Sequence, residues 1–280
     1  MSGRPQIQHW VPRFYLKHFA TEETRRTPNP KVWVINKSKS PSEPELMTTR
    51  RICGQRFLYT PEGTDGSRDW SLEEHLSELE SQAAEYWEAL SRAQLDLSEP
   101  TTRSRVAEFL AALHLRNKFV FDLYKGVMET KIALFGETEL TQRVAREKNN
   151  DDRPDPTHAG RFFAQSTKNN IPSVKESFMS FRWTLLKCEQ NVLITSDVPV
   201  SFIDSLPQRS GPGAKDPKAI FPVSPSTMLY MEHCDGQPDT VQKEIDGALF
   251  WKINRVIAHQ AEMFVVLGMQ PTPDMSQLEL

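Results

Sequence analysis

The clearest alternation of apolar and polar positions begins at Ser71. Leu72, Leu76, Leu79, Ala83, Tyr86 and Leu90 recur every three or four residues, with polar residues between them. That spacing draws one apolar stripe along a helix. Ser71 and Glu74 stand in the relation of a capping box, so the helix is expected to start there. Pro100 punctuates. A second helix is expected over 101–124, with Val106, Phe109, Leu110, Leu113, Val120 and Tyr124 on one face, and helix can continue over 127–140. The two long helices could pack as an antiparallel hairpin. A short helix is read over 8–19, with Pro12 in its first turn and Val11, Tyr15, Leu16 and Phe19 on one side.

Elsewhere the apolar runs are too short for helices. Segments 32–35, 56–60, 181–186, 192–195, 220–223, 227–231 and 263–267 read as strands separated by proline-rich and glycine-rich turns. One more helix carries Ile245, Leu249, Ile253, Val256 and Ile257. The fold class expected is α+β: a helical hairpin or bundle half packed with a small, mainly antiparallel sheet. The expected division is an α-rich part with two short strands over 1–140, a mobile polar loop over 141–160 that cannot pack a core, an α+β part over 161–270, and a loose tail over 271–280. Two lobes and one continuous domain are both compatible with this pattern.

Composition narrows the classes. With 38% apolar and 25% charged residues in 280, the chain is neither disordered nor collagenous nor a coiled coil. A net charge of −3 argues against a wholly basic nucleic-acid coat. The unusual count is 20 prolines against 12 glycines, most of them in connections. No apolar run approaches the roughly 20 residues that cross a bilayer, and residues 1–6 open no signal peptide. Cys53, Cys188 and Cys234 are odd in number, far apart and outside any CxxC spacing, which suggests neither a disulfide framework nor a Cys-rich zinc site. A soluble cytoplasmic protein with reduced thiols is expected.

Three motifs in order carry a resemblance. Gln8-His9-x-Val11-Pro12-x-Phe14-x-Leu16-x-x-Phe19 resembles the opening of the DUF4238 family. Ile194-Thr195-Ser196-Asp197-x-Pro199-Val200 and Phe221-Pro222-Val223-Ser224-Pro225 resemble its middle motifs, and Asn254-Arg255 with Ala258, Ala261 and Phe264 its last. Val223 stands where the family usually has a leucine-like residue. The resemblance implies a bacterial or fungal intracellular setting and no particular reaction.

Candidate chemistry comes from polar residues where apolar ones were expected. Arg116 lies seven residues from Phe109 on the same helical face, and Asn117 follows it. A buried guanidinium needs a carboxylate, and Glu73 or Glu80, seven apart on the first long helix, can reach it. The pair can be a structural ion pair, or Arg116 can hold an anionic substrate. His9 and Arg13 flank the start of the short helix, where N–H donors could bind a phosphate or carboxylate; His9 can equally cap or pack. Ser196-Asp197 sits at a strand end before Pro199, a place to display a carboxylate to a metal or water, or to make a local turn. Asn254 borders its helix's apolar face and can bond the loop of Asp197. His18 is assigned to the surface, and the pairs Arg25-Arg26 and Arg50-Arg51 to solvated loops, which gives duplex DNA binding little support. P-loop, dinucleotide-binding, zincin and EF-hand motifs are missing from the sequence.

Two functions follow. In the first, a hydrolase acts on a phosphorylated or nucleic-acid substrate. His9, Asp197 and Glu80 would be catalytic, Arg116, Arg13, Asn254 and Ser196 would bind substrate, and Glu80 and Asp197 would hold a divalent metal. In the second, the protein binds or scaffolds. The motif residues are then structural, and Trp10, Trp33 or Trp251 would mark a partner surface. Oligomeric state and substrate stay open.

Overall fold

A computed structural model describes residues 4, 6–40, 42–61, 66–135, 157–203, 212, 216–234, 236, 239–272 and 278. The strands are β1 (Ile7–His9), β2 (Lys31–Asn36), β3 (Pro44–Thr48), β4 (Gly54–Arg56), β5 (Arg182–Lys187), β6 (Thr195–Ser196), β7 (Ser201–Phe202), β8 (Lys218–Ser224), β9 (Thr227–Glu232), β10 (Thr240–Glu244) and β11 (Phe264–Leu267). The helices are α1 (Arg13–Leu16), α2 (Glu22–Arg25), α3 (Ser71–Ser91), α4 (Pro100–Leu115), α5 (Lys118–Phe135), α6 (Thr157–Met179) and α7 (Gly247–Gln260). The fold is α+β. A five-stranded sheet runs β10-β5-β9-β8-β7, antiparallel except for the β10–β5 pair. A four-stranded antiparallel sheet runs β3-β2-β11-β6, and β1 pairs β4 alone. β2 therefore lies between β3 and β11, and strands from the two ends of the chain share one sheet.

The long helices follow from their apolar spacing. α3 buries Leu72, Leu76, Leu79, Ala83, Trp87 and Leu90 along one stripe. Its start differs from the capping box expected: Trp70 holds the cap position, Asp69 accepts from the Ser71 amide, and Glu74 pairs with Arg4 in solvent. The helix expected over 101–124 is two helices. α4 is capped by Glu99, which accepts from the Thr101 and Thr102 amides. It stops at Leu115 because the Asn117 carboxamide accepts from the Phe119 amide and starts α5 afresh. The short helix over 8–19 resolves into β1, then the single turn α1 and a 3-10 turn over Lys17–Phe19.

The pattern had a second legible helix in α6. Phe163, Thr167 and Ile171 recur every four residues and are buried, with Phe178 two turns further on. The polar loop expected over 141–160 lies outside the described residues as far as 156, and 157–160 open this helix. Of the tail, Leu278 is buried in a core cluster with Phe250 and Leu267, whereas 273–277, 279 and 280 lie outside the described residues.

Trp87 is the centre of the larger core. Its ring meets those of Phe14, Tyr15, Phe109 and Phe221 edge-on, at centroid separations of 5.4, 5.6, 5.2 and 5.9 Å. Such pairs contribute about 0.5–1.5 kcal/mol each beyond area burial. They fasten the turn of α1 to α3, α4 and β8 together. Because Trp87 is locked, the residues just before α1 are set against the N-terminal half of α3 and the C-terminal end of α4. No helix among the described residues is long and apolar enough to cross a membrane.

Candidate functional site

The end of α4 delivers Arg116 into the interior, only 2% exposed. Its Nη1 bonds Glu80 Oε1 at 2.6 Å, one of the two carboxylates that spacing offered. Its carbonyl accepts from the buried Tyr59 hydroxyl at 2.6 Å, which fixes the main chain there. Yet Arg116 Nε and Nη2 are buried with no hydrogen-bond partner. A guanidinium normally spends all its N–H groups when desolvated, and an unmade bond costs about 1–3 kcal/mol. Two donor atoms of this cation are therefore left without a protein acceptor.

Two more titratable groups, Glu73 and His9, face this cation. Glu73 is seven residues before Glu80, hence on the same side of α3. Burial and the neighbouring Glu80 charge push its carboxyl up to about 7, against the pull of Arg116. His9 closes β1. Burial lowers its pKa below the ordinary value, opposed by a hydrogen bond to Arg50 and helped by the charges of Arg13, Arg116 and Arg50. The neutral ring uses Nε2 to reach the Arg50 carbonyl at 3.2 Å, so Nε2 carries the proton and Nδ1 is left as a base. The ring lies against Gly54, where a Cβ would stand 2.9 Å from His9 Cδ2 and Nε2, so no larger residue fits beside it. Cys53, next to Gly54, is buried and holds a left-handed φ of 52° while its carbonyl accepts from the Trp10 amide at 2.9 Å. Backbone held in this region by a non-glycine residue is strained. Arg13 is exposed and contributes charge. α1 is a single turn, so the anion-binding helix start expected there does not form.

The other expected site residues are committed elsewhere. Asp197 is 3% exposed, and its two carboxylate oxygens accept from the Glu262 and Met263 amides at 3.0 and 2.8 Å. Burial raises its pKa to about 6 even so. Ser196 is fully buried and its Oγ accepts from the Val198 amide, which is the local turn reading. Asn254 is fully buried. Its Oδ1 accepts from the Ile194 amide at 3.0 Å and its Nδ2 donates to the Val192 carbonyl at 2.7 Å, so no edge is left for substrate. With Glu80 on Arg116 and Asp197 on main-chain amides, the pair proposed to hold a metal is spent, and among the described residues no three His, Cys, Asp or Glu converge as a metal site.

Two further placements differ from expectation. His18 is not a surface residue: its ring packs 6.2 Å from Trp87, and burial drives its pKa down to about 4. Arg25 belongs to α2 and donates through Nη2 to the Ala20 carbonyl. Glu73 was visible in the sequence only as one of two partners for Arg116. Its role beside an already satisfied Glu80 needed the three-dimensional spacing.

The motifs meet in space. Tyr15 Oη lies 2.6 Å from Thr195 Oγ1 and donates to the Pro222 carbonyl at 2.7 Å, tying the opening motif to both middle ones. Asn254, from the last motif, holds the strand leading into Thr195. Over residues 7–269 the chain matches the family model described as "Protein of unknown function (DUF4238)". The chain belongs to the DUF4238 family. No curated protein and no solved structure matches this DUF4238 chain.

Proposed function

We propose that this DUF4238 protein is a hydrolase acting on a phosphorylated or nucleic-acid substrate at the Arg116–Glu73–His9 cluster, with α3 and α4 as the hairpin that walls it. The observation that carries the reading is the buried Arg116 with two open donors between a carboxyl held near neutrality and an uncharged imidazole. Groups whose environments drive them apart from their ordinary titration, gathered around one cation, are the usual arrangement for acid–base work. Glu73 and His9 are both half-buried, whereas Arg116 is buried.

In this reading Arg116 Nε and Nη2 donate to the phosphate oxygens. His9 Nδ1 accepts a proton from water as the water oxygen bonds to phosphorus. The ester P–O bond breaks, and protonated Glu73 donates to the departing oxygen. The proton on His9 then returns to Glu73 through solvent, and both groups end as they began. Asp197, Ser196 and Asn254 keep the supporting loops in place without touching substrate. We place the activity in the cytoplasm, a reading supported by three free cysteines.

The test is phosphate or alcohol release from a panel of phosphomonoesters, phosphodiesters and phosphoanhydrides. Turnover of one class, lost in Glu73→Gln while the melting temperature holds, supports the reading. No turnover across the panel, or turnover indifferent to Glu73→Gln, overturns it.

A second reading, a non-catalytic binding protein, is favoured by one observation. α5 presents Phe119, Leu123 and Val127 at 51, 55 and 44% exposure, four residues apart on one face. Trp10 is core and Trp33 and Trp251 are half-buried, so this stripe replaces the tryptophans as the candidate contact surface. Loss of binding in Phe119→Ser with Leu123→Ser, and no turnover anywhere, would favour it over the hydrolase.

A further inference from the structure

A cavity of about 590 Å³ opens on the other side of the α1 turn, between that turn, the C-terminal half of α3 and the β8–β9 turn. Its volume falls within the range of small-molecule sites and is far larger than one inorganic phosphate requires. Four cations line it: Lys17, Arg25, Arg26 and Arg92. One carboxylate, Glu88, lines it too, and that carboxylate is already paired with Arg92. In a chain whose net charge is −3, a hollow with three cations beyond its single ion pair concentrates positive field.

The walls are held before any ligand arrives. Ser224 Oγ and Thr227 Oγ1 both donate to the Ser91 carbonyl, at 3.1 and 2.7 Å, and so fix the β8–β9 turn on the end of α3. Gly268 supports the same turn from behind: a Cβ there would stand 2.7 Å from Pro225 Cβ. Arg25 is anchored through Nη2 on Ala20, while its Nε is buried with no partner. Phe14, Pro225 and the uncharged ring of His18 supply apolar surface beside the cations, and Asn191 and Ser226 supply polar edges.

We propose that this cavity is a second binding site, distinct from the Arg116 cluster, for a phosphorylated small molecule of nucleotide size. Three cations in excess call for two or more negative charges on the ligand, and guanidinium groups match phosphate oxygens in pairs. The remaining volume and the apolar surface of Phe14 and Pro225 take an organic body rather than a second phosphate. The lining comes from the α1 turn, α2, α3 and the β8–β9 turn on several sides, which suits a discrete ligand. Glu88 and Ala84 of this cavity lie eight and four residues beyond Glu80 on α3, so the two sites share one helix about 12 Å apart along its axis, and neither needs the other to bind.

The probes are ADP, inorganic pyrophosphate, inorganic phosphate and a short single-stranded oligonucleotide, titrated calorimetrically against the full chain. ADP should bind micromolar or tighter, pyrophosphate more weakly, and phosphate weaker still. Reversal of two exposed charges, Lys17→Glu with Arg26→Glu, should weaken ADP at least tenfold, and Arg92→Ala, on a different element, should weaken it as well. Glu73→Gln should leave ADP binding unchanged, which separates this site from the proposed catalytic one. Proton NMR of His18 gives a second readout. Its ring faces Lys17, Arg25 and Glu88, and a bound dianion should raise its titration midpoint. Absence of ADP and pyrophosphate binding, binding indifferent to both sets of substitutions, or an oligonucleotide that displaces ADP at lower concentration would overturn the proposal.

Discussion

Two buried polar clusters in this protein are built in opposite ways. Around Asp197 and Asn254 each side-chain oxygen and nitrogen is bonded to main chain, at Glu262, Met263, Ile194 and Val192. Around Arg116 one nitrogen is paired and two are left open, while Glu73 and His9 sit away from their ordinary pKa values. Both clusters are desolvated, so the difference lies in satisfaction rather than in burial. A satisfied cluster can only hold structure. An unsatisfied one lowers stability in the free protein and is rewarded when a ligand arrives. Residue type alone does not separate them, since Asp197 has as catalytic a look as Glu73.

The comparison can be broken most directly at Glu73. If the Arg116 cluster is the working one, Glu73→Gln should lower kcat by about a hundred- to ten-thousand-fold with the melting temperature unchanged or raised. Equal loss of activity and of folded protein would place Glu73 with the structural set. Next in size, Asn254→Ala should cost about 3 kcal/mol in urea unfolding, because two buried main-chain groups lose their partner; a cost under about 1 kcal/mol would remove the contrast.

The pH dependence sharpens the same contrast. Activity should fall as pH rises through about 7, where Glu73 loses its proton, and Glu73→Gln should abolish that limb. For stability the signs oppose. Glu73 and Asp197 have raised pKa values, so their contribution is full below about pH 4 and is lost as pH climbs through about 6 for Asp197 and about 7 for Glu73. His18 and His114 have values lowered to about 4, so their contribution is present above the ordinary histidine value and is lost as pH falls toward 4. The melting temperature should therefore pass through a shallow maximum in the mildly acidic range, and Asp197→Asn should remove part of its alkaline slope.

Smaller still, Arg116→Met should change stability by no more than about 1 kcal/mol, since an apolar side chain of similar length replaces an incompletely paired ion and the Glu80 left behind is 31% exposed and solvated, while turnover disappears. A large loss of stability on this substitution would show Arg116 to be structural. The smallest effect is expected at Arg4→Ala. Its pair with Glu74 is 60% and 63% exposed, and the change should stay below about 0.5 kcal/mol.

Much of this fold is legible in the sequence. The apolar stripe of α3 and the burial of Arg116 follow from spacing alone, because helical period and the cost of an unpaired buried charge are local rules; spacing offered Glu73 and Glu80 equally as its partner, and only the packed helices select Glu80. The break at Asn117 depended on which of two competing hydrogen bonds its side chain makes, and a periodic apolar face ran straight through it. β10 has no apolar signature because its partner β5 covers one edge and its residues stay largely solvated. The roles of Glu73, Gly54 and His18 depend on segments far apart in sequence. His9 touches Gly54 across a β1–β4 pair, and His18 is enclosed by Trp87 only after α3 has docked. Asp197 misled because a carboxylate aimed at amides and one aimed at a metal share the same sequence.

The Tyr15 hydroxyl spans 180 residues to Thr195 and 207 to Pro222, and β2 finds its neighbour β11 through Val34 opposite Val266. During synthesis the first fifty residues therefore wait for the last to emerge. At typical ribosomal rates of about 5–20 residues per second, the wait is roughly 10–50 s. Through that interval one edge of the β2–β3 ribbon has no partner and Tyr15 has no acceptor. Closure so late and so long-ranged is a slow kind of folding, and it makes the nascent N-terminus of this protein a natural client for chaperones.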